Sequence, residues 1–164
     1  ARRVVICASE DVGNADPQAL LVADAAFRGV EVVGMPEARI LLAQAVIYVA
    51  TAPKSNASYL GIERALKHIE REKTRPVPPH LQDANYPGAK KLGRGTGYMY
   101  PHDFPGHYVP QEYMPEKVVF YTPSDQGYER RISLFLRHLE RMSRGREERP
   151  QKPAPRPQKP PARE

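Results

Sequence analysis

The sequence predicts an all-α fold on three observations. Two neighbouring runs, residues 15–34 and 36–52, are apolar on nearly every face of a helix, and a third, 55–73, is amphipathic at helical spacing. A last run, near 132–142, repeats that spacing, and Pro, Gly, Asp and Ser residues stand where helices start and stop. The 164 residues allow one domain of ordinary size.

Taken in order, residues 2–10 read as the end of a helix and 11–15 as a turn. Asp16 then offers an N-cap side chain, and Pro17 follows as the residue whose missing N–H costs nothing at the first helical position. Within this first complete helix Leu20, Phe27, Val30 and their apolar neighbours circle the axis. Gly34 ends it and Pro36 begins the next, where Ile40, Val46 and Ile47 do the same, interrupted mainly by Arg39, Gln44 and Tyr48. A surface helix needs an apolar arc of only about 100°. Neither run is an uninterrupted apolar stretch of about 20 residues, which disfavours a membrane span. Two readings stay open: both helices form the centre of a lone domain, or they are covered by a subunit or interdomain interface. Small domains bury a smaller share of their surface, which favours the second.

Pro53 breaks the chain again and Ser55 caps a third helix, whose Ile62, Ala65, Leu66 and Ile69 define one buried face. Between residues 76 and 115 periodicity disappears. The loop is rich in Tyr (86, 98, 100, 108 and 113), which argues for order because disordered segments are poor in aromatics. It is expected to wrap over the helices, with a short strand pair at 97–100 and 118–121. Thr122, Pro123 and Asp125 restart helix at capping-box spacing. Ile132, Phe135, Leu136, Leu139 and Met142 form the last buried face, and Gly145 ends it. The expected organisation is a helical oligomerisation domain over 1–144 and a disordered, locally polyproline-like tail over 145–164.

The net charge of +6 is unevenly placed: residues 141–164 hold eight Lys/Arg against three Asp/Glu, a net of +5, which leaves +1 for the rest. The basic character therefore describes a tail, not a binding face. One cysteine, Cys7, excludes an internal disulfide framework and is expected to pack as a small hydrophobe. With no signal segment, a cytoplasmic location follows by default. The chain opens on Ala1 within a helix, without Met or cap, as a piece of a longer protein would.

Candidate chemistry is thin. His102, Asp103 and His107 carry imidazole and carboxylate groups that a divalent metal accepts, and a metal hydrolase centred there is one reading. Their spacing matches no ligand signature, so a hydrogen-bonded loop is favoured. Ser9, Glu10 and Asp11 lack a nearby His and a nucleophile elbow. Gly93, Gly95 and Gly97 beside Lys90, Lys91 and Arg94 lack the phosphate-loop pattern and its flanking strand and helix. Beside Tyr86, Tyr98 and Tyr100, the three basic residues instead fit a DNA- or protein-binding module, stacking on single-stranded nucleic acid or touching a partner's tail. Lys54 reads as a solvated lysine at a helix start.

Five strings then stand together: ASEDVGNADPQAL (8–20), VGMPEARILLAQA (33–45), ATAPKSNASYL (50–60), YPGAKKLGRGTGYMYPHDFPGH (86–107) and PSDQGYE (123–129). Their combination closely resembles the C-terminal region of the RarA/MgsA family of AAA+ ATPases, replication-associated recombination proteins whose eukaryotic relative is the Werner helicase interacting protein. The resemblance runs from residue 2 to about 142. It implies a compact helical domain that follows the ATPase core and, like a clamp-loader collar, holds subunits together as a homotetramer. It implies a nucleoid-associated parent protein that engages DNA and is linked to the single-stranded DNA-binding protein. ATP and Mg would bind in a region this chain lacks, so no catalytic or cofactor-binding residue is assigned and the chain itself is not expected to be an enzyme.

Overall fold

The computed structural model describes residues 1–72 and 75–147, so the tail expected at 145–164 lies, from 148 onward, outside the described residues. Five α-helices and no strand are present among the described residues. The chain divides into two compact units, one of Ala1–Thr74 with Val118–Arg137 and one of Arg75–Lys117 with His138–Glu164.

In the first unit α1 (Arg2–Cys7) runs into a π-helical turn, Ala8–Val12, and a 3-10 turn, Gly13–Ala15. Helix α2 spans Gln18–Val33, α3 Ala38–Thr51 and α4 Ala57–Arg71. Their ends follow local chemistry. Asp16 Oδ1 accepts the Gln18 N–H at 3.1 Å, as its capping position predicts. Gly34 adopts φ 72°, and its N–H reaches Val30 O at 3.0 Å to close α2. Ser55 Oγ accepts the Ala57 N–H at 3.2 Å and starts α4. Lys54 corrects its sequence reading: Nζ donates to Val49 O at 2.9 Å, Ala50 O at 3.2 Å and Ala52 O at 2.5 Å, capping the C-terminus of α3 with a cation.

The core is built from small residues. Ala8, Val12, Ala19, Ala23 and Val49 are buried together, with Val4, Val5, Cys7, Tyr48 and Ala52 packed against them. Ala26, Ala38 and Ala45 are buried as well. Helices α2 and α3 form the most extensive helix pair, and they touch so closely that a Cβ on Gly29 would lie 2.7 Å from Leu41 Cδ1. Burying a methyl-sized group stabilises by about 0.8 kcal/mol, against about 1.5–3 kcal/mol for a whole large apolar side chain. The larger gain is therefore mostly not collected inside this unit.

Two buried faces expected from periodicity are corrected. On α4, Ile62, Leu66 and Ile69 are exposed; the helix packs instead through Ala57 and Gly61, the latter against Phe120 and Tyr121. Arg64 donates to Phe120 O at 3.2 Å and His68 meets the Phe120 ring edge-on at 5.4 Å. On the last helix, α5 (Glu129–Glu147), Ile132, Leu139 and Met142 are half-buried while Phe135 and Leu136 are exposed. The helix begins at Glu129, not at the expected cap near Thr122, because the Ser124 N–H donates to the Glu129 carboxylate across a turn. It also continues through Gly145 to Glu147.

In the second unit the Tyr-rich loop is a chain of 3-10 turns: Pro79–Leu81, Ala89–Leu92, Pro101–Asp103 and Pro105–His107. Ala89 and Val109 are its buried apolar residues. The expected strand pair is absent. Gln111 takes a strand partner's place with its side-chain amide, accepting from Met99 N at 3.3 Å and donating to Met99 O at 3.0 Å. Tyr108 is tied to Ser143, near the end of α5, at 2.8 Å, and His80 Nε2 to Glu112 O at 2.7 Å.

Candidate functional site

The most distinctive surface of the first unit is apolar. Because alanines fill the α2 and α3 contact, their large neighbours point outward: Leu20 is 42%, Phe27 38%, Ile40 64%, Val46 48% and Ile47 64% exposed, and only Val30 of the six predicted interface residues is half-buried. On α3, Ala38, Ala45 and Val49 face inward, while Ile40, Ala43, Ile47 and Ala50 recur at three- and four-residue steps and form an outward stripe. Small and large residues alternate along it, which lets a second helix approach closely.

A buried carboxylate ties this unit together, and periodicity gave no sign of it. Glu129 has no accessible surface and receives three donors: Ser55 Oγ at 2.7 Å and Ser124 N at 2.7 Å on Oε2, and Tyr121 Oη at 2.9 Å on Oε1. Burial alone would raise its carboxyl, but the hydrogen bonds from Ser124, Ser55 and Tyr121 outweigh it and hold the group below its ordinary value. Tyr121 moves the other way, pushed up to about 12 by burial, then by its hydrogen bond to Glu129 and that carboxylate's charge. The Ser55 N–H donates to Asp11 O at 2.7 Å and the Tyr128 N–H to Ala15 O at 2.7 Å. Gly127 beside it has φ 49° and so close a neighbour in Ala15 O that no Cβ fits. The knot joins α4, α5 and the turns after α1; its oxygens serve structure.

Cys7, Asp11, Lys54, Ser55 and Asn56 line an open cleft of about 460 Å³. The Asp11 side chain hydrogen-bonds the Cys7 thiol and, with burial, raises it above its ordinary value, so the sulfur packs as a neutral group. Ser9 is exposed, and with Asp11 turned to Cys7 no nucleophile and base pair forms there.

In the second unit Lys91, Arg94, Tyr98 and Tyr100 are exposed, and Arg94 lies over the Tyr86 ring at 5.5 Å. Lys90 belongs to the 3-10 turn at Ala89–Leu92. His102 contacts both His107, at 4.8 Å between centroids, and Tyr100, at 5.1 Å. The two imidazoles of the expected metal triad thus meet each other at a tilt of 51°, and no group of three or more His, Cys, Asp or Glu is placed to hold an ion among the described residues. Among those residues no helix is long and apolar enough to cross a membrane.

Fold and surface together define a class: an all-α module joined by small residues, with its large apolar side chains turned outward. Residues 1–140 match the family model for the MgsA AAA+ ATPase C-terminal region, and the chain belongs to that family. It is 47% identical over 142 residues to an AAA domain-containing protein of Mycobacterium tuberculosis, covering 85% of this chain and 31% of the relative. Replication-associated recombination protein A of Bacillus subtilis is 45% identical over 130 residues, covering 77% and 31%. ATPase WRNIP1 of Dictyostelium discoideum is 40% identical over 118 residues, covering 71% and 14%. The chain thus spans a third or less of the length of these relatives.

Proposed function

We propose that this chain is the self-assembly module of an AAA+ ATPase acting in replication-fork maintenance and recombination, built to hold its copies together as a homotetramer. The observation that carries the reading is the small-residue core with Leu20, Phe27, Ile40, Val46 and Ile47 left outside it. A second copy is the partner chemistry that suits an outward stripe of alternating Ile and Ala. The names of the Bacillus subtilis and Dictyostelium discoideum relatives support the parent role. ATP and Mg then act in the parent's ATPase core, with DNA and the single-stranded DNA-binding protein as partners of the whole protein in the cytoplasm. Residues 1–144 and the end of α5 to Glu147 belong to the assembling domain, with 148–164 as its appended tail. Light scattering behind size exclusion at micromolar concentration tests this: a tetramer mass is expected, and a monomer at every concentration overturns it.

A second role is supported by Arg94 lying on Tyr86, with Lys91, Tyr98 and Tyr100 exposed in the same loop. Here Lys90, Lys91 and Arg94 meet phosphates and the tyrosines meet bases of a single strand. Replacing the three cations by Ala tests it: single-strand binding should weaken beyond what the tail supplies.

A further inference from the structure

His107 is the one non-glycine among the described residues with a positive φ, 52°, and it follows Gly106 at 70°. The left-handed region costs a side chain roughly 1–2 kcal/mol, and such strain persists where the surroundings impose it, often at ligand clamps. Here the imidazole is exposed, and so are the two rings that continue from it: His102, tilted 51° to His107, and Tyr100, tilted 44° to His102.

We infer that Tyr100, His102 and His107 form a stacking platform for an unpaired nucleobase of single-stranded nucleic acid. This rests on the second role proposed above and adds to it two residues that the sequence offered only as metal ligands. The three exposed rings present π faces at inclined angles, and a flat heteroaromatic ring finds a partner on each side of such a cluster. Lys91 and Arg94 of the same unit are exposed and in no ion pair among the described residues. A peptide aromatic would use the rings but not the cations; a nucleotide uses both, because every base brings a phosphate. Stacking also tolerates any base, so the platform reads single-strandedness and not sequence.

The test uses the full chain and two oligonucleotides of equal charge, one of thymidine only and one with abasic sites replacing most bases. Phosphate contacts, including those of the basic tail, are the same for both. The wild type should prefer the base-containing strand by roughly tenfold, the size of a single base–aromatic contact. H107G removes the ring at a position where glycine is at ease, so the fold is kept, and with Y100L it should reduce the preference to what Tyr98 supplies while leaving abasic binding unchanged. Equal affinity for both strands in the wild type would overturn the platform yet leave the phosphate contacts of the second role standing. Preference undiminished in H107G with Y100L would also overturn it. Absence of binding to either strand would overturn the platform and the second role alike.

Discussion

Glu129 carries its charge with three hydrogen-bond donors and no cation partner among the described residues, an arrangement that works only while every donor is in place. Glu129→Gln keeps the shape but turns an NH2 toward the Ser124 N–H or the Ser55 and Tyr121 hydroxyls. Hydrogen bonds to a charged group contribute about 1.5–3 kcal/mol, so the variant should lose about 2–3 kcal/mol in urea unfolding at neutral pH. The pH dependence follows from the shift. A carboxyl held below its ordinary 4.5 in the folded state contributes stability above that pH, and the contribution disappears as pH falls through the depressed folded value. Acid unfolding of the wild type should therefore steepen below pH 4.5, and the variant should lack that component. Tyr121 acts at the other end: raised from 10.0 to about 12, its phenol stabilises the fold below pH 10 and that share is lost toward 12. A Tyr121→Phe profile parallel to the wild type over that alkaline range would remove the phenol from the account.

Helix α3 separates two kinds of position that hydrophobicity alone does not distinguish. Ala45 faces the core and Ile47 faces out, two residues apart. An unpaired charge in an apolar site costs several kcal/mol, so Ala45→Asp should abolish the cooperative melt. Ile47→Asp and Phe27→Asp should instead stay folded and drop in mass to monomer, checked by circular dichroism beside light scattering; variants that keep the wild-type mass would exclude these helices from the interface. The same distinction explains what the sequence made legible. Asp16, Gly34, Pro36, Pro53 and Ser55 marked the ends of α2, α3 and α4 to within a few residues, because capping is local. Which face was buried was less legible: periodicity ranks Ile62 and Leu66 above Gly61, but Gly61 is what lets residues 120 and 121 lie against α4. The Glu129 knot and the Gln111 clamp were invisible for the same reason, since each is made by residues far apart in sequence.

At the scale of the whole chain, the proposed nucleic-acid role would draw on two sources of affinity with different physics. The loop offers rings and a few cations; residues 148–164 offer five Lys/Arg against two Asp/Glu, and Pro at six positions of the surrounding 150–161. A tail of this composition would meet phosphates without base preference. Releasing counterions from Z phosphates gives a slope of about −0.9Z for log K against log salt on duplex DNA, so three to five tail contacts give roughly −3 to −5. Duplex binding by the full chain should show a slope steeper than that of one tail and should nearly vanish when residues 148–164 are removed. The proposed assembly would multiply the effect, because linked sites bind a second time at high effective concentration. In Ile47→Asp, with the tail intact but the tetramer lost, duplex affinity should therefore fall by at least tenfold and the slope should shrink toward that of one tail. Fluorescence anisotropy across a salt series on the wild type, the truncation and Ile47→Asp checks all three expectations. An affinity in Ile47→Asp equal to that of the wild type would mean that each tail acts alone and that assembly serves something other than holding DNA.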